Sequence, residues 1–235
     1  MVKEFIILIP AYNEEVRILP FLAEIVAYNK LRGTIKKVII VDDGSKDRTI
    51  ERALRYQSKL PLEIIRHQRN AGKWAAIQTG LDSIERCGVL TVLLDADGSV
   101  SIWELDKMYY PKMGEAVFGS RFTKGAVVEG KSFLRGLISR GYRLYAKIFY
   151  HLAGGKNTID DMQCPLKAIY VENVKRKMKV KRFAGDIEFA LNLDAKIINH
   201  SVYFIHKRGS KLPFYAMFQM AIETIQVAWR NRFNK

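Results

Sequence analysis

The first 120 residues repeat one pattern, in which a short apolar run is followed by a polar loop and then by a segment with helical spacing. The apolar runs predict β-strands at residues 4–9, 37–41, 62–66, 89–94 and 116–119. Several of the segments between them are apolar at i, i+3, i+4 and i+7, which predicts helices near 15–29, 48–58, 73–86 and 102–113. Because near-continuous apolar strands alternate with helices, we predict an α/β fold: a mostly parallel central sheet with helices on both faces.

The second half of the chain has a different rhythm. It predicts a long helix at 133–152, a strand at 166–170, a helix at 186–193, a strand at 197–205 and a terminal segment from residue 212. The sequence contains no linker, low-complexity tract or internal repeat. We therefore expect a single domain that covers residues 1–235.

Residues 212–233 have the pattern of an amphipathic helix. One face of a helical wheel carries Phe214, Met217, Phe218, Ala221, Ile222, Ile225, Ala228 and Trp229, and the opposite face carries Gln219, Glu223, Gln226 and Arg230. Such a helix can lie in a membrane interface or pack on the core of the protein, and the sequence leaves both possibilities open. Since no apolar run approaches the roughly 20 residues that span a bilayer, we expect no transmembrane segment.

The formal charge of +15 is concentrated in the second half. Residues 121–147 contain seven basic residues and one acid, and residues 167–182 again contain seven and one. A field of this size attracts polyanions, which include nucleic acid, an anionic membrane surface and phosphorylated substrates; a solvated basic surface is the alternative. Only two cysteines occur, and Pro10 ends the first apolar run too early for a secretory signal, so we expect a cytoplasmic protein.

Three polar loops follow predicted strands, at residues 10–14, 42–45 and 95–98. Ligands of parallel sheets gather beyond the carboxyl ends of the strands, so these loops should share one crevice. Asp95 and Asp97 leave the chain on the same side, where two carboxylates can hold Mg²⁺ or Mn²⁺ together with phosphate oxygens. An ordinary acidic turn is the alternative for this pair.

Five motifs in order carry a resemblance to a known family. They are residues 9–15 (IPAYNEE), 41–49 (VDDGSKDRT), 69–73 (RNAGK), 95–97 (DAD) and 119–121 (GSR). In order and spacing the chain resembles family 2 glycosyltransferases, and more narrowly the dolichyl-phosphate glucose and mannose synthases. Residues 161–164, 186–188 and 208–212 are similar to the same group. The resemblance implies a GT-A-type, Rossmann-like sandwich and the inverting, metal-dependent transfer of a hexose from a nucleotide sugar to dolichyl or polyprenyl phosphate, which feeds protein N-glycosylation or cell-surface glycan synthesis.

The resemblance also implies roles for individual residues. Asp95, Asp97 and Arg121 would be catalytic, with Asp95 and Asp97 as metal ligands. Substrate contacts would come from Pro10, Tyr12, Glu14, Val41, Asp43, Lys73, Ala96, Ser99, Arg208 and Lys211. Arg121, Arg208 and Lys211, with Arg135 and Arg140, are candidates for the acceptor phosphate, because Arg pairs well with phosphate oxygens. Asp186 and Glu188 are possible orienting groups, since a phosphate acceptor is already a nucleophile and needs no general base.

The chain departs from the mannose-transferring pattern in two places. Ser99 stands where mannose synthases tend to have Gln as a further metal ligand, and Pro165-Leu166 replaces a Gly-Phe pair. Residues 95–99, 163–164 and 209–214 resemble the glucose-transferring synthases more closely, so UDP-glucose is favoured as the donor over GDP-mannose. We expect an enzyme that is peripheral on the cytoplasmic face of a membrane. The alternatives are a family 2 enzyme that acts on a sugar hydroxyl and a basic nucleic-acid-binding protein.

Overall fold

A computed structural model describes residues 4–130, 133–182, 184–207 and 214–233. Its main sheet has seven strands: β1 (Phe5–Ala11), β2 (Ile35–Asp42), β3 (Leu62–Arg66), β4 (Leu90–Leu93), β5 (Glu115–Ser120), β7 (Lys167–Tyr170) and β8 (Lys196–Ser201). A second, two-stranded sheet pairs β6 (Val127–Glu129) with β9 (Tyr203–Ile205). The main sheet has the order β3-β2-β1-β4-β7-β5-β8, and only β7 runs antiparallel to its neighbours. The predicted mostly parallel sheet is therefore confirmed.

Helices cover both faces of this sheet. They are α1 (Ile18–Arg32), α2 (Thr49–Leu54), α3 (Lys73–Asp82), α4 (Phe133–Leu152), α5 (Gly185–Asn192) and α6 (Phe214–Phe233). Alternate residues of one strand point to opposite faces: Ile7 and Ile9 pack in the core under α1, whereas Leu8 packs in the core under α3 and α5. Both faces are buried, which is why the strands read as continuous apolar runs.

Four predicted elements differ from the structure. Residues 102–113 do not form an α-helix; a 3-10 turn (Ile102–Asp106) is followed by irregular chain, because Pro111 and Gly114, with a φ of 84°, interrupt a helix there. The predicted helices at 48–58 and 73–86 are shorter, as α2 and α3. The predicted strand at 197–205 is divided at Val202, so that β8 belongs to the main sheet and β9 to the small one.

The terminal helix α6 packs on the protein with one side and leaves its other side exposed. Its inner side buries Met220, Thr224, Val227 and Ala228, and the Tyr145 hydroxyl of α4 donates a hydrogen bond of 2.9 Å to the Ala221 carbonyl. Its outer side exposes other apolar residues, which are Phe218, Ile222, Ile225 and Trp229.

The predicted polar face of α6 is wrong at Glu223. This side chain turns inward and accepts a hydrogen bond of 3.0 Å from the Ala184 amide at the start of α5. The helical wheel assigned Glu223 to the wrong side because apolar residues lie on both the buried and the exposed side of α6. No helix within the described ranges is long and apolar enough to cross a bilayer.

Candidate active site

The three polar loops meet at one edge of the sheet, beyond the carboxyl ends of β1, β2 and β4. Strand β1 lies between β2 and β4, and the Asp43 amide donates a hydrogen bond of 2.8 Å to the Ala11 carbonyl. The loop after β1 is joined to the loop after β2 by the Asn13 amide, which donates to Ser45 Oγ at 2.9 Å, and by the Glu14 amide, which donates to Thr49 Oγ1 at 2.7 Å. The predicted shared crevice is therefore present.

The adjacent carboxylates of Asp42 and Asp43 both accept hydrogen bonds from donors of the protein itself. Asp42 is fully buried; it accepts hydrogen bonds from the Ser45 amide and pairs with Arg66 Nε at 3.3 Å. Gly44, between them and Ser45, has a φ of 72°, and a Cβ there would lie 2.7 Å from the Arg69 carbonyl carbon, so only glycine fits.

Asp43 anchors the loop that leads into α3. Its Oδ1 accepts from the Ala71 amide at 2.8 Å and lies 2.8 Å from His67 Nδ1. Its Oδ2 accepts from Asn70 Nδ2 at 2.9 Å and from the Gly72 amide at 2.7 Å. The four acceptor positions of the carboxylate are thus engaged within the protein. Asp43 fixes the wall of the crevice, and a nucleoside contact would replace one of these four bonds.

The other residues predicted for the nucleoside differ in what they present. Tyr12 is 40% exposed at the rim of the crevice, and Pro10 lines a small pocket in its floor together with Lys73, Asp95 and Lys167. Val41 and Ala96 are buried in the two apolar cores. Their side chains face away from the crevice, so only their backbone groups can meet a substrate.

Glu14 lies at the centre of the acidic side of the crevice. Desolvation by burial raises the pKa of Glu14 to about 7. The charges of Asp97 and Asp95 also raise this pKa, whereas the paired guanidinium of Arg17 lowers it. Arg17 Nη2 donates to Glu14 Oε1 at 2.7 Å. The charges of Asp97 and Asp95 thus disfavour the ionised form of Glu14.

Asp95 and Asp97 hold different partners. Lys73 Nζ lies 2.6 Å from Asp95 Oδ1, whereas Asp97 Oδ1 accepts hydrogen bonds from the Ser99 amide at 2.8 Å and from Ser99 Oγ at 2.6 Å. Ser99 is buried and thus orients Asp97. In the described ranges, no three His, Cys, Asp or Glu side chains are grouped as a metal site. Two hard carboxylates alone fit Mg²⁺ or Mn²⁺, because these ions take most of their remaining ligands from substrate phosphates and water.

Lys73 begins a line of alternating charges across the floor of the crevice. Desolvation opposes its protonation, but the charges of Asp95, Asp186 and Asp97 outweigh this effect and raise the pKa of Lys73. On the far side, Lys167 Nζ donates to Asp186 Oδ1 at 2.9 Å and to the Cys164 carbonyl at 2.7 Å. Trp74 Nε1 donates to Asp186 Oδ2 at 3.3 Å.

The sequence analysis did not identify Lys167 or Trp74 as part of the site. Lys167 is 2% exposed, and its ammonium group lies over the rings of Trp74 and Phe118 at 5.6 and 5.4 Å. The sequence does contain an indication of this role, because a lysine inside an otherwise apolar strand needs a partner for its charge when it is buried.

Asp186 and Glu188 have separate roles although they are two residues apart. Asp186 faces the crevice, as described above, whereas the buried Glu188 faces away from it. Glu188 Oε2 accepts from the Lys179 and Val180 amides at 2.9 and 2.7 Å, and Glu188 Oε1 lies 3.5 Å from Arg230 Nη2 of α6. Glu188 therefore joins a loop and the terminal helix to α5.

Arg121 is held by a carboxylate of its own chain. Its Nε and Nη2 donate to the two oxygens of the buried Asp161 at 2.6 and 2.9 Å, and the guanidinium lies 5.1 Å from the Phe204 ring. Burial opposes its charge, but Asp161 outweighs this and raises the pKa of Arg121. Arg140 is exposed on α4. The side chain of Arg135, and Arg208 and Lys211 altogether, lie outside the described residues.

Comparisons with known proteins show the family of this chain. Residues 6–158 match the sequence model of Glycosyl transferase family 2. A dolichyl-phosphate beta-glucosyltransferase of Trichomonas vaginalis is 30% identical over 94% of this chain and 69% of the relative. A dolichol-phosphate mannosyltransferase of Pyrococcus furiosus is 34% identical over 60% of this chain and 40% of the relative.

A solved structure shares the fold across almost the whole chain. It is the glucosyl-3-phosphoglycerate synthase of Mycobacterium tuberculosis in complex with Mn²⁺, uridine diphosphate and glucosyl-3-phosphoglycerate. The TM-score is 0.65 at 14% identity, over 97% of this chain and 80% of that one. The fold is of the GT-A type, as expected. With a family match over most of the chain and the strand-end acids in one crevice, the chain is a glycosyltransferase that belongs to family 2.

Proposed function

We propose that this enzyme transfers a hexose, with inversion, from a nucleotide sugar to dolichyl or another polyprenyl phosphate, and that UDP-glucose is its donor. The observation that carries the proposal is the crevice, in which Lys73 lies 2.6 Å from Asp95 and shares a small pocket with it and with Lys167. The similarity to the glucosyltransferase of Trichomonas vaginalis extends over nearly the whole chain, which supports glucose and a dolichyl phosphate acceptor.

On the donor side, Tyr12 offers an exposed ring at the rim for the base or ribose, and Glu14 offers a hydrogen-bond partner that can be neutral near pH 7. Asp95 and Asp97 would hold Mg²⁺ or Mn²⁺. When bound, the ion supplies Lewis-acid stabilisation of the nucleoside diphosphate that leaves. Lys73 adds a positive charge beside the same phosphates, once the donor competes with Asp95 for its ammonium group.

On the acceptor side, the carboxylate of Asp186 is already engaged, and the proposed reaction does not need a general base. Both oxygens of Asp186 already accept hydrogen bonds, from Lys167 and Trp74, so the carboxylate is held in place as an orienting anion. A phosphate monoester with a second pKa near 6 is largely dianionic at neutral pH and attacks directly. This arrangement favours a phosphate acceptor over a sugar hydroxyl, which requires a base.

Arg121 contributes to the acceptor side mainly by position. Because Asp161 occupies its Nε and Nη2 atoms, we assign to Arg121 the role of a fixed positive charge beside the crevice. Arg208 and Lys211 stay candidates for direct contact with the acceptor phosphate.

Helices α4 and α6 offer a surface for the membrane in which such an acceptor resides. They pack together and expose large apolar side chains on their outer sides, each between 48% and 65% exposed: Leu144, Ile148, Leu152, Phe218, Ile222, Ile225 and Trp229. We call these seven residues the apolar face. A protein that uses a cytosolic nucleotide sugar and carries this face would act as a peripheral enzyme on the cytoplasmic side of a membrane.

The proposal is tested by offering radiolabelled UDP-glucose and GDP-mannose in turn, with polyprenyl phosphate, Mn²⁺ or Mg²⁺, and detergent. Label from UDP-glucose should enter the organic phase, and chelation of the metal should abolish transfer. Asp97→Asn should lower the rate at least about 100-fold, because the diphosphate loses its ion.

The matched control is Asp194→Asn, which removes an exposed carboxylate that pairs with Lys175 at the surface. It should keep the wild-type rate. Polyprenol without its phosphate should receive no label. Transfer to that alcohol, transfer that survives chelation, or failure of the folded wild-type protein to transfer from any nucleotide sugar would each contradict the proposal.

A further inference from the structure

Between β7 and α5 the chain presents a strongly basic segment. Six of the eight residues from 175 to 182 are exposed and basic: Lys175, Arg176, Lys177, Lys179, Lys181 and Arg182. We call these six the basic strip. The two other members of the segment, Met178 and Val180, turn inward and pack on the core beneath α3 and α5. The segment therefore has a fixed apolar underside and a charged outer side.

Hydrogen bonds to its backbone groups hold the segment beside α3. The Met178 amide donates to Gln78 Oε1 at 2.9 Å, and the Trp74 amide donates to the Lys181 carbonyl at 2.9 Å. Glu188 accepts from two further amides of the segment, as described above. Because these bonds use only backbone groups of the segment, its basic side chains stay directed toward solvent.

Few acidic residues neutralise the strip. Lys175 pairs with Asp194 at 3.0 Å and Lys177 with Asp82 at 2.8 Å. Among the described residues, no carboxylate lies within 4.0 Å of the charged groups of the other four members, Arg176, Lys179, Lys181 and Arg182. The like charges of these four residues repel one another. A bound anion would relieve this repulsion.

The strip adjoins the helix that carries part of the apolar face. Glu188 touches both, since its Oε2 accepts from the strip and its Oε1 faces Arg230 of α6. Seven residues earlier on α6, Glu223 accepts from the Ala184 amide, two residues after the strip ends. Helix α6 thus follows α5 along this side, with apolar side chains on its outer surface and the strip beside it.

We propose that the basic strip is a docking site for the anionic headgroups of phospholipids, which holds the apolar face against the membrane. This inference rests on the proposed function, because it names the surface on which the proposed acceptor would be met. A bilayer offers both an apolar interior and an anionic surface, and the apolar face and the strip match these two in adjacent positions. A nucleic acid offers the charge but no counterpart for the exposed Leu and Ile side chains.

The test measures sedimentation of the full chain with vesicles, in the absence of nucleotide sugar and acceptor. Its result is thus independent of whether the protein transfers a hexose. One vesicle preparation is phosphatidylcholine alone and the other is an equal mixture of phosphatidylcholine and phosphatidylglycerol. The strip variant carries Arg176→Gln, Lys179→Gln, Lys181→Gln and Arg182→Gln. The charge control carries Lys30→Gln, Lys36→Gln, Lys59→Gln and Lys112→Gln, four exposed lysines on other surfaces.

Wild-type protein and charge control should bind the mixed vesicles at least about tenfold more tightly than phosphatidylcholine vesicles, and the strip variant should lose this preference. A third variant, which exchanges Lys and Arg at the same four positions, should keep it, because the charge is conserved. If the four-residue variant does not fold by circular dichroism, two double variants replace it. The proposal is overturned if the strip variant keeps the preference, if the charge control loses as much, or if the strip binds RNA but not vesicles.

Discussion

At the scale of single residues, acids that look alike in the sequence have different partners. Asp43 is saturated by four protein donors, Asp97 is oriented by Ser99, and Glu14 is buried beside both Arg17 and the other carboxylates. Their positions at strand ends could be predicted from the sequence, but the partners of each carboxylate could not. It depends on which backbone amides and cations the folded chain brings within about 3 Å of each oxygen.

Glu14 gives this site a measurable dependence on pH. Its pKa rises from 4.5 in the unfolded chain to about 7 in the native protein, so the native state binds more protons between these values and loses stability as pH rises through them. Glu14→Gln removes this loss. Relative to wild type, the variant should gain about 2 kcal/mol of unfolding free energy between about pH 5 and about pH 8, measured with denaturant.

The control for this measurement is Glu51→Gln, which removes a carboxylate on the exposed surface of α2. A pH effect of equal size in this variant would show that the effect comes from general charge and not from the burial of Glu14. The wild-type enzyme should also bind its donor differently on the two sides of pH 7, because Glu14 changes from a donor to an acceptor of hydrogen bonds there.

At the scale of elements, the site depends on how closely α5 approaches α3. A Cβ on Gly185 would lie 2.2 Å from Trp74 Cγ and 2.3 Å from its Cδ1. This contact lets the Trp74 indole reach Asp186, so a glycine at the start of α5 sets the position of a carboxylate in the crevice. Neither the periodicity of α5 nor that of α3 indicates the contact, since it joins residues more than 100 positions apart.

Gly185→Ala should therefore lower the unfolding free energy by about 2 to 3 kcal/mol, because the rigid ring and both helices must move apart. Denaturant unfolding measures the change. The matched control is Gly141→Ala in α4, where a Cβ would meet nothing within 4 Å. That variant should gain about 0.5 to 1 kcal/mol from helix propensity alone. A loss of similar size in both variants would contradict the packing explanation.

At the scale of the whole molecule, the basic strip lies between β7 and α5, and the apolar face lies on α4 and α6. The net charge of +15 could be counted from the sequence, and its concentration in residues 121–147 and 167–182 could be read there too. The sequence could not show that Leu144 of α4 and Ile222 of α6 belong to one surface. The two helices pack together, and a hydrogen bond joins the neighbours of these residues, Tyr145 and Ala221.

The apolar face should bind membranes in proportion to its apolar area. The variant Leu144→Gln/Ile222→Gln should bind phosphatidylcholine vesicles at least about fivefold more weakly, because two exposed side chains no longer gain from burial in the bilayer. Its unfolding free energy should change by less than about 0.5 kcal/mol for each substitution. In the control Leu31→Gln/Leu54→Gln, two exposed leucines of α1 and α2 are replaced. Equal weakening in this control would contradict the role of the face.

The sequence by itself determined the α/β architecture, because strands buried on both faces must be apolar throughout, and it placed acids at the ends of β1, β2 and β4. Family motifs added the class of enzyme. Only the tertiary structure decided the partner of each charged group in and around the site: His67 and Asn70 for Asp43, Lys73 for Asp95, Lys167 for Asp186 and Asp161 for Arg121. The physical reason is the separation along the chain of the residues that determine each feature. Burial patterns repeat every two to four residues and can be read locally, whereas a buried charge needs a partner within about 4 Å, and the folded chain brings such partners together from distant positions.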